Sequence, residues 1–227
     1  MTNVLPSIEI TPTKEPIGTI IWLHGLGADG NDFAPIVPEL NLQQTYPLRF
    51  VFPHAPERPV TINNGYVMRA WYDIISMSID HRADQEGIQE SVVQVQALIA
   101  EEEKKGIPAE NIILAGFSQG AVIALHTGLT LPKKLRGILA LSGYLPQAST
   151  VLSHSTSMNK HVPIFIGHGT QDAIVPYFLG EALHKQLEQE GYPVTWKAYP
   201  MPHSVCAEEI RDIANWIENI FTPPPER

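Results

Sequence analysis

Short apolar runs of strand length recur along the chain, and longer segments with a helical repeat separate them. Most of these runs are apolar on successive residues rather than on alternate ones, which is typical of strands buried on both faces. The predicted strands lie at 18–24, 49–53, 111–116, 137–142, 162–167 and 194–199. The pattern therefore predicts a parallel sheet that is covered by helices.

The intervening segments show the periodicity of amphipathic helices. Ile88, Val92, Val95 and Ile99 fall at i, i+4, i+7 and i+11, on one stripe of a helix that ends before Gly106. Two later stripes consist of Leu179, Leu183 and Leu187 and of Ile210, Ile213, Ala214, Ile217 and Ile220. Strands that alternate with such helices predict an α/β fold with a mostly parallel central sheet and helices on both faces. In such a fold, ligands bind beyond the carboxyl ends of the strands.

The length of 227 residues suits one large core, so we predict a single α/β domain over 1–227. Residues 222–227 are rich in proline and are predicted to be a frayed tail. The segments on either side of the candidate nucleophile described below are taken up by predicted strands and helices. We therefore expect no inserted cap domain.

Charge and composition narrow the expected partners. The formal net charge is −9, from 24 acidic and 15 basic residues, so nucleic acids and anionic membranes would be repelled. No segment reaches the ~18 apolar residues of a membrane span, and the first residues lack the pattern of a secretory signal. We therefore predict a cytoplasmic protein without stable membrane insertion. Cys206 is the only cysteine, which excludes an internal disulfide.

A G-x-S-x-G motif, Gly116-Phe117-Ser118-Gln119-Gly120, lies between a predicted strand and a predicted helix. In this context such a motif exposes the serine above the sheet as a nucleophile. The glycines allow the strand and the helix to approach each other closely. The alternative is a serine that only caps the helix after a glycine turn. The context favours Ser118 as a nucleophile.

A serine hydroxyl needs a neighbouring base, and the base needs an acid that orients it. In hydrolases with this motif, the acid and then the histidine follow the serine, on loops after later strands. Asp172 follows the predicted strand 162–167, and His203 follows the predicted strand 194–199. We therefore predict Asp172 as the acid and His203 as the base.

The other histidines and carboxylates fit this order less well. His168 ends a strand but precedes the candidate acid. Asp73 and Asp80 precede the serine, and Glu181 starts a helix. The remaining histidines precede the serine, lie in the helix after it or lie in polar segments: His24, His54, His81, His126, His154, His161 and His184. No ligand cluster has zinc spacing, so neither a metal nor a cofactor is expected.

Acyl transfer also requires backbone N–H groups that stabilise the negative oxygen of a tetrahedral intermediate. One donor is predicted at Gln119, directly after the nucleophile. The second is predicted in the loop from His24 to Gly27, after the first strand, and by position it is the N–H of Leu26. An ordinary turn at the end of a strand would contain the same glycines.

Conspicuous motifs are spread over nearly the whole chain. They are LeuHisGlyLeuGly at 23–27, MetArgAlaTrpTyrAspIle at 68–74, GlyPheSerGlnGly at 116–120, HisGlyThrGlnAsp at 168–172 with ValPro at 175–176, and HisSerValCys at 203–206. Together they resemble the acyl-protein thioesterases and small bacterial carboxylesterases, the phospholipase/carboxylesterase family. The resemblance implies an α/β-hydrolase fold, a triad of Ser118, His203 and Asp172, and oxyanion donors at Leu26 and Gln119.

One substrate contact is also implied by the resemblance. It makes Trp71 a wall of the acyl-binding groove, with a core aromatic residue as the alternative. Ile75 and Val175 are further candidate contacts. Ile75 belongs to the apolar segment 74–79, which an edge strand packed on the core would explain equally well.

The chain departs from the family at two positions beside these motifs. Ala121 replaces the second of two glycines that often follow the SerGln pair. Pro202 stands where a glycine often precedes the histidine, and it fixes φ of that loop. Neither change removes a catalytic group. The start of the chain also lacks the acylated cysteine found in eukaryotic protein-depalmitoylating members.

The predicted function is hydrolysis of carboxylic esters or thioesters with short-to-medium acyl chains through an acyl-enzyme on Ser118. The expected partner is a small ester or thioester, with an acylated protein as a further substrate, and the expected assembly is a monomer or homodimer. A lysophospholipase or a protein depalmitoylase would use the same groups. A serine peptidase of this fold usually needs a lid or an extra domain, and a catalytically inactive binding protein would not need the three groups.

Overall fold

The computed structural model describes residues 4–76 and 84–222. Its strands are β1 (Ser7–Ile10), β2 (Gly18–Leu23), β3 (Leu48–Pro53), β4 (Glu57–Val60), β5 (Tyr66–Arg69), β6 (Ile112–Phe117), β7 (Gly137–Leu141), β8 (Ile164–Gly169) and β9 (Val194–Tyr199). Within these residues, a seven-stranded sheet has the order β1-β3-β2-β6-β7-β8-β9. β1 pairs antiparallel with β3, and all the other neighbours in this sheet are parallel. β4 and β5 form a separate antiparallel hairpin.

Among the described residues, five helices lie in connections between strands of the sheet, and a sixth follows the last strand. They are α1 (Ile36–Leu40), α2 (Gln85–Lys104), α3 (Gln119–Thr130), α4 (Ala148–Ser153), α5 (Tyr177–Gln189) and α6 (Ala207–Phe221), with short 3-10 turns at Thr61–Asn63, Ala109–Asn111 and Ser157–Asn159. The side chain of Asp84 caps α2 by accepting a hydrogen bond from the Gly87 N–H at 3.0 Å. α3 begins directly after Ser118, so the nucleophile motif joins β6 to this helix.

The sheet is buried on both faces because successive side chains of a strand point to opposite sides. On β2, Ile21 and Leu23 pack with the apolar residues of α2, α3 and α5. Ile20 and Trp22 pack with those of α1 and α6 on the other face. All four side chains are fully buried. Two helical layers therefore fix the sheet, and the loops at the carboxyl ends of its strands carry the candidate site.

The predicted fold class is confirmed, because the sheet is mostly parallel and has helices on both faces. The sequence pattern does not predict β1 or the β4–β5 hairpin. β1 is a short edge strand that includes Glu9, and β4 contains Pro59, a residue that argues against a strand. Of the segments discussed above, 77–79 and 223–227 lie outside the described residues. Among the described helices, none is long and apolar enough to cross a bilayer.

Candidate active site

Ser118 lies in the tight connection between β6 and α3, with φ of 55° and ψ of −117°. A non-glycine residue rarely adopts a positive φ, so the surrounding structure must hold it there. The Ser118 N–H donates to the Leu141 carbonyl of β7 at 2.8 Å. A Cβ at Gly116 would overlap the Gly120 carbonyl, and a Cβ at Gly120 would overlap the Leu23 carbonyl. The turn therefore closes only with glycine at both positions, and it presents the serine at the carboxyl edge of the sheet.

His203 bridges this serine and an aspartate. Its Nε2 lies 2.9 Å from Ser118 Oγ, and its Nδ1 lies 2.6 Å from Asp172 Oδ2. An ionised carboxylate only accepts hydrogen bonds, so Nδ1–H is the donor to Asp172 and Nε2 is left to accept from the hydroxyl. The ring also packs against Phe117, with 4.7 Å between the ring centroids. Loops after β6, β8 and β9 therefore bring the three predicted side chains into one hydrogen-bonded series.

Asp172 is fixed by the loop that follows β8. Its Oδ1 accepts the N–H groups of Ile174 at 2.9 Å and of Val175 at 2.8 Å, which leaves Oδ2 for His203. The carboxylate has no exposed area. These hydrogen bonds compensate the burial of a charged group, and they also fix its orientation.

His168, the alternative candidate for the base, supports the same loop. The residue is fully buried, and its Nε2 donates to the Val175 carbonyl at 2.8 Å. Its distance to Asp172 Oδ2 is 3.6 Å, too long for a hydrogen bond. Burial lowers the pKa of His168 below its ordinary value, so the ring is neutral at working pH. His203, and not His168, contacts the serine.

The other rejected candidates occupy different surroundings. Asp73 accepts the Thr61 N–H at 2.7 Å and anchors the end of the β4–β5 hairpin. His126 is buried in α3, and this burial lowers its pKa to about 4. Asp80 and His81 lie outside the described residues. Within 4–76 and 84–222, no three His, Cys, Asp or Glu side chains are grouped so as to hold a metal ion.

Two backbone N–H groups beside Ser118, those of Leu26 and Gln119, have no acceptor among the described residues. Gln119 is the first residue of α3, where N–H groups lack an intrahelical partner. The Leu26 loop is held by the Gly27 N–H, which donates to the Arg69 carbonyl at 2.8 Å. Both residues line the same cavity as Ser118. A negative oxygen in this position could accept two hydrogen bonds at the positive end of the α3 dipole.

Trp71 lies beneath the cavity and does not form its wall. The residue is fully buried and does not line the cavity. Its indole N–H donates to the His24 carbonyl at 2.9 Å, and its backbone N–H donates to Gln119 Oε1 at 2.8 Å. The structure therefore favours the core alternative for Trp71, because both of its N–H groups are bonded to the segments that carry the candidate oxyanion donors.

A cavity of about 260 Å³ borders Ser118 and His203. Its apolar lining includes Tyr72, Ile74, Phe117, Tyr144, Ile174 and Val175, and Asp32 contributes a carboxylate. Ile75 is 54% exposed and does not line it, whereas Ile74 is 7% exposed. Ile74, and not the neighbouring Ile75 that is predicted as a contact, therefore faces the cavity. Val175 does lie at the cavity.

Sequence reasoning misses two side chains of the site, those of His24 and Gln119. Gln119 Nε2 donates to the Tyr72 carbonyl at 2.7 Å, in addition to the bond from Trp71. The chain order excludes His24 as the base but does not indicate which groups its ring binds. Both side chains bind backbone groups, and such contacts leave no pattern in the sequence.

Comparisons with known proteins find similar sequences and similar folds. A family model described as phospholipase/carboxylesterase matches residues 6–221. Acyl-protein thioesterase 1 of Yarrowia lipolytica is 38% identical over 218 residues, which cover 94% of this chain and 96% of that protein. The protein of the same name in Schizosaccharomyces pombe is 42% identical over 188 residues, covering 82% and 83%. The crystal structure of Arabidopsis thaliana SOBER1 matches with a TM-score of 0.85 at 35% identity, covering 90% of this chain and 99% of SOBER1.

Proposed function

This chain belongs to the phospholipase/carboxylesterase family and is a hydrolase of carboxylic ester or thioester bonds, and on that premise we propose that Ser118 is its nucleophile. His203 acts as the base and Asp172 orients it. The observation that carries the proposal is the unbroken series from Ser118 Oγ through His203 to Asp172, with distances of 2.9 and 2.6 Å. The series lies beside two N–H groups without an acceptor among the described residues.

The reaction proceeds through an acyl-enzyme. His203 Nε2 takes the proton of Ser118 while Oγ attacks the carbonyl carbon, and the negative oxygen accepts hydrogen bonds from Leu26 and Gln119. The bond to the leaving oxygen or sulfur then breaks, and the leaving group takes the proton from His203. His203 then takes a proton from water while the water oxygen attacks the carbonyl carbon of the acyl-enzyme. Ser118 Oγ leaves and takes the proton from His203, which releases the acid and restores Ser118.

The cavity supports short-to-medium acyl chains. Its volume is about 260 Å³, and its lining near Ser118 is largely apolar. The oxyanion donors bind the carbonyl oxygen and do not contact the leaving atom, so oxyesters and thioesters are both accepted. The relatives named acyl-protein thioesterase 1 support thioesters on proteins as one substrate class.

A matched series of oxyesters and thioesters, with acyl chains of increasing length, tests the proposal. We expect turnover of both series by the wild-type protein and labelling of Ser118 by a fluorophosphonate. Ser118→Ala should abolish both readouts while circular dichroism stays unchanged, because the turn depends on the flanking glycines. Ser153→Ala, at an exposed serine of α4, is the matched control. Near-normal turnover by a folded Ser118→Ala protein would refute the assignment.

A further inference from the structure

We propose that His24 is a positioning residue for the oxyanion hole and acts through the peptide that joins Gly25 to Leu26. The inference rests on the proposed function, in which the Leu26 N–H binds the negative oxygen. His24 has no part in proton transfer in this scheme. It fixes the direction in which a backbone donor points.

The hydrogen bonds of the His24 ring define its tautomer. The Ala55 N–H donates to His24 Nε2 at 3.0 Å, so this nitrogen carries no proton. The proton is therefore on Nδ1, which lies 2.7 Å from the Gly25 carbonyl oxygen and donates to it. Burial lowers the pKa of His24 below its ordinary value, which keeps this neutral form at working pH.

The Gly25 carbonyl and the Leu26 N–H belong to one peptide group. In a planar trans peptide these two bonds point in opposite directions. A hydrogen bond that holds the Gly25 oxygen against the His24 ring therefore turns the Leu26 N–H away from that ring. Gly25 and Leu26 both line the cavity at Ser118, and this N–H has no acceptor among the described residues.

The surroundings of His24 make this orientation rigid. The residue is 1% exposed, and its own carbonyl accepts the indole N–H of Trp71 at 2.9 Å. Trp71 in turn is bonded to the side chain of Gln119, the second oxyanion residue. A further bond to the Gly25 oxygen, from the Ala28 N–H at 3.3 Å, is longer than the bond from His24. The ring of His24 is thus the nearer of the two donors that hold this carbonyl.

His54, which follows β3, provides a matched control because it binds the same loop. Its Nδ1 accepts the Gly30 N–H at 3.1 Å, so it also fixes the loop after β2 through a backbone group. Its ring has no hydrogen bond to the Gly25–Leu26 peptide. If His24 only stabilised this loop, the two histidines would be equivalent in their effect on catalysis.

The experiment compares His24→Asn, His24→Gln, His24→Ala and His54→Ala. The Asn amide nitrogen can replace Nδ1 as a donor to the Gly25 oxygen, whereas Gln replaces the ring at the position of Nε2. The readouts are kcat and KM on a short aryl ester, and the inhibition constants of a trifluoromethyl ketone and of the matching non-reactive amide. The ketone forms a tetrahedral oxyanion on Ser118, and the amide does not.

We expect His24→Gln and His24→Ala to lower kcat by about 10- to 100-fold, somewhat less than the loss of an oxyanion donor, with little change in KM. Binding of the ketone should weaken by a similar factor, while binding of the amide should stay within about twofold. His24→Asn should recover most of the loss, and His54→Ala should show no selective loss of ketone binding. Where His24→Ala fails to fold, the Gln and Asn variants give the same comparison.

Equal activity of the Asn and Gln variants would overturn the proposal, as would equal weakening of ketone and amide. Unchanged kcat in a folded His24→Gln protein would do the same. Failure of the proposed function looks different, because the wild-type protein would then show neither ester turnover nor fluorophosphonate labelling of Ser118. The two failures are therefore distinguishable.

Discussion

The proposed catalytic edge of the sheet has two halves that are built from different kinds of groups. The acid–base half, formed by Asp172 and His203 after β8 and β9, presents side chains. The oxyanion half, formed by the loop after β2 and the start of α3, presents the backbone N–H groups of Leu26 and Gln119. A side chain can be removed by one substitution, whereas a backbone N–H can only be misdirected. Substitutions in the acid–base half should therefore have the larger effects on turnover.

The largest effect is expected for Asp172→Asn in the acid–base half. The N–H groups of Ile174 and Val175 hold Oδ1, so they retain the amide oxygen in that position. The amide nitrogen must then face His203 Nδ1 and donate to it, which moves the ring proton to Nε2. His203 can then no longer accept the serine proton, and kcat should fall by ~10⁴-fold.

The measurement is kcat on an aryl ester, with circular dichroism as the control for folding. Substrate binding should change little, because Asp172 does not line the cavity. A fall in kcat below tenfold, together with a larger fall for Asp73→Asn, would assign the orienting role to Asp73. Substitutions in the acid–base half would then no longer have the larger effect on turnover.

A second large effect is expected on the stability of the folded protein, at a buried carboxyl group next to β8. Glu209 of α6 is fully buried, its carboxyl lies against Gly167 of β8, and neither oxygen has a partner among the described residues. Burial, with a smaller contribution from nearby Asp212, raises the pKa of Glu209 to about 8. The unfolded chain ionises near the ordinary value of 4.5, so it loses its proton first. Stability should therefore fall as the pH rises from about 4.5 to 8 and then level off.

Melting temperatures of Glu209→Gln and wild type between pH 5 and pH 9 check this prediction. The melting temperature of the variant minus that of the wild type should increase by several degrees from pH 5 to pH 9, because the side chain of the variant does not ionise. Glu208→Gln, at the exposed neighbouring residue, is the matched control. A difference between Glu209→Gln and wild type that does not change with pH would contradict the prediction.

A smaller effect on turnover is expected in the oxyanion half, for Gln119→Leu. The backbone N–H of residue 119 remains, but the side chain no longer bonds the Trp71 N–H and the Tyr72 carbonyl, which it holds at 2.8 and 2.7 Å. Each buried polar group left without a partner costs about 1–3 kcal/mol. We expect a fall in kcat of ~10-fold and a lower melting temperature.

Gln89→Leu, at an exposed position of α2, controls for the loss of an amide elsewhere. If Gln119→Leu lowered kcat as much as Asp172→Asn, the contrast between removing a side chain and misdirecting an N–H would be wrong.

The same contrast explains which parts of the molecule can be predicted from the sequence. The six parallel strands of the sheet and the main amphipathic helices follow from periodicity, and the prediction of Ser118, Asp172 and His203 follows from the motif and from chain order. The contacts of His24 do not, because a ring that binds backbone groups resembles any buried histidine. Trp71 and Ile75 fall in an irregular segment, where no period says which side chain faces the cavity.

The smallest effect concerns acyl-chain length and compares two neighbouring isoleucines. Ile74 lines the cavity and is 7% exposed, whereas Ile75 is 54% exposed and does not line it. Each buried methylene contributes ~0.8 kcal/mol, which is about fourfold in kcat/KM. Ile74→Ala should therefore lower kcat/KM by about fourfold to tenfold for hexanoate or octanoate esters and by less for acetate, and Ile75→Ala should change neither. Kinetics on esters of increasing acyl length measure both variants. A uniform loss in Ile74→Ala would mean that Ile74 only supports the core, and a length-dependent loss in Ile75→Ala would return the acyl contact to Ile75, the candidate named from the sequence.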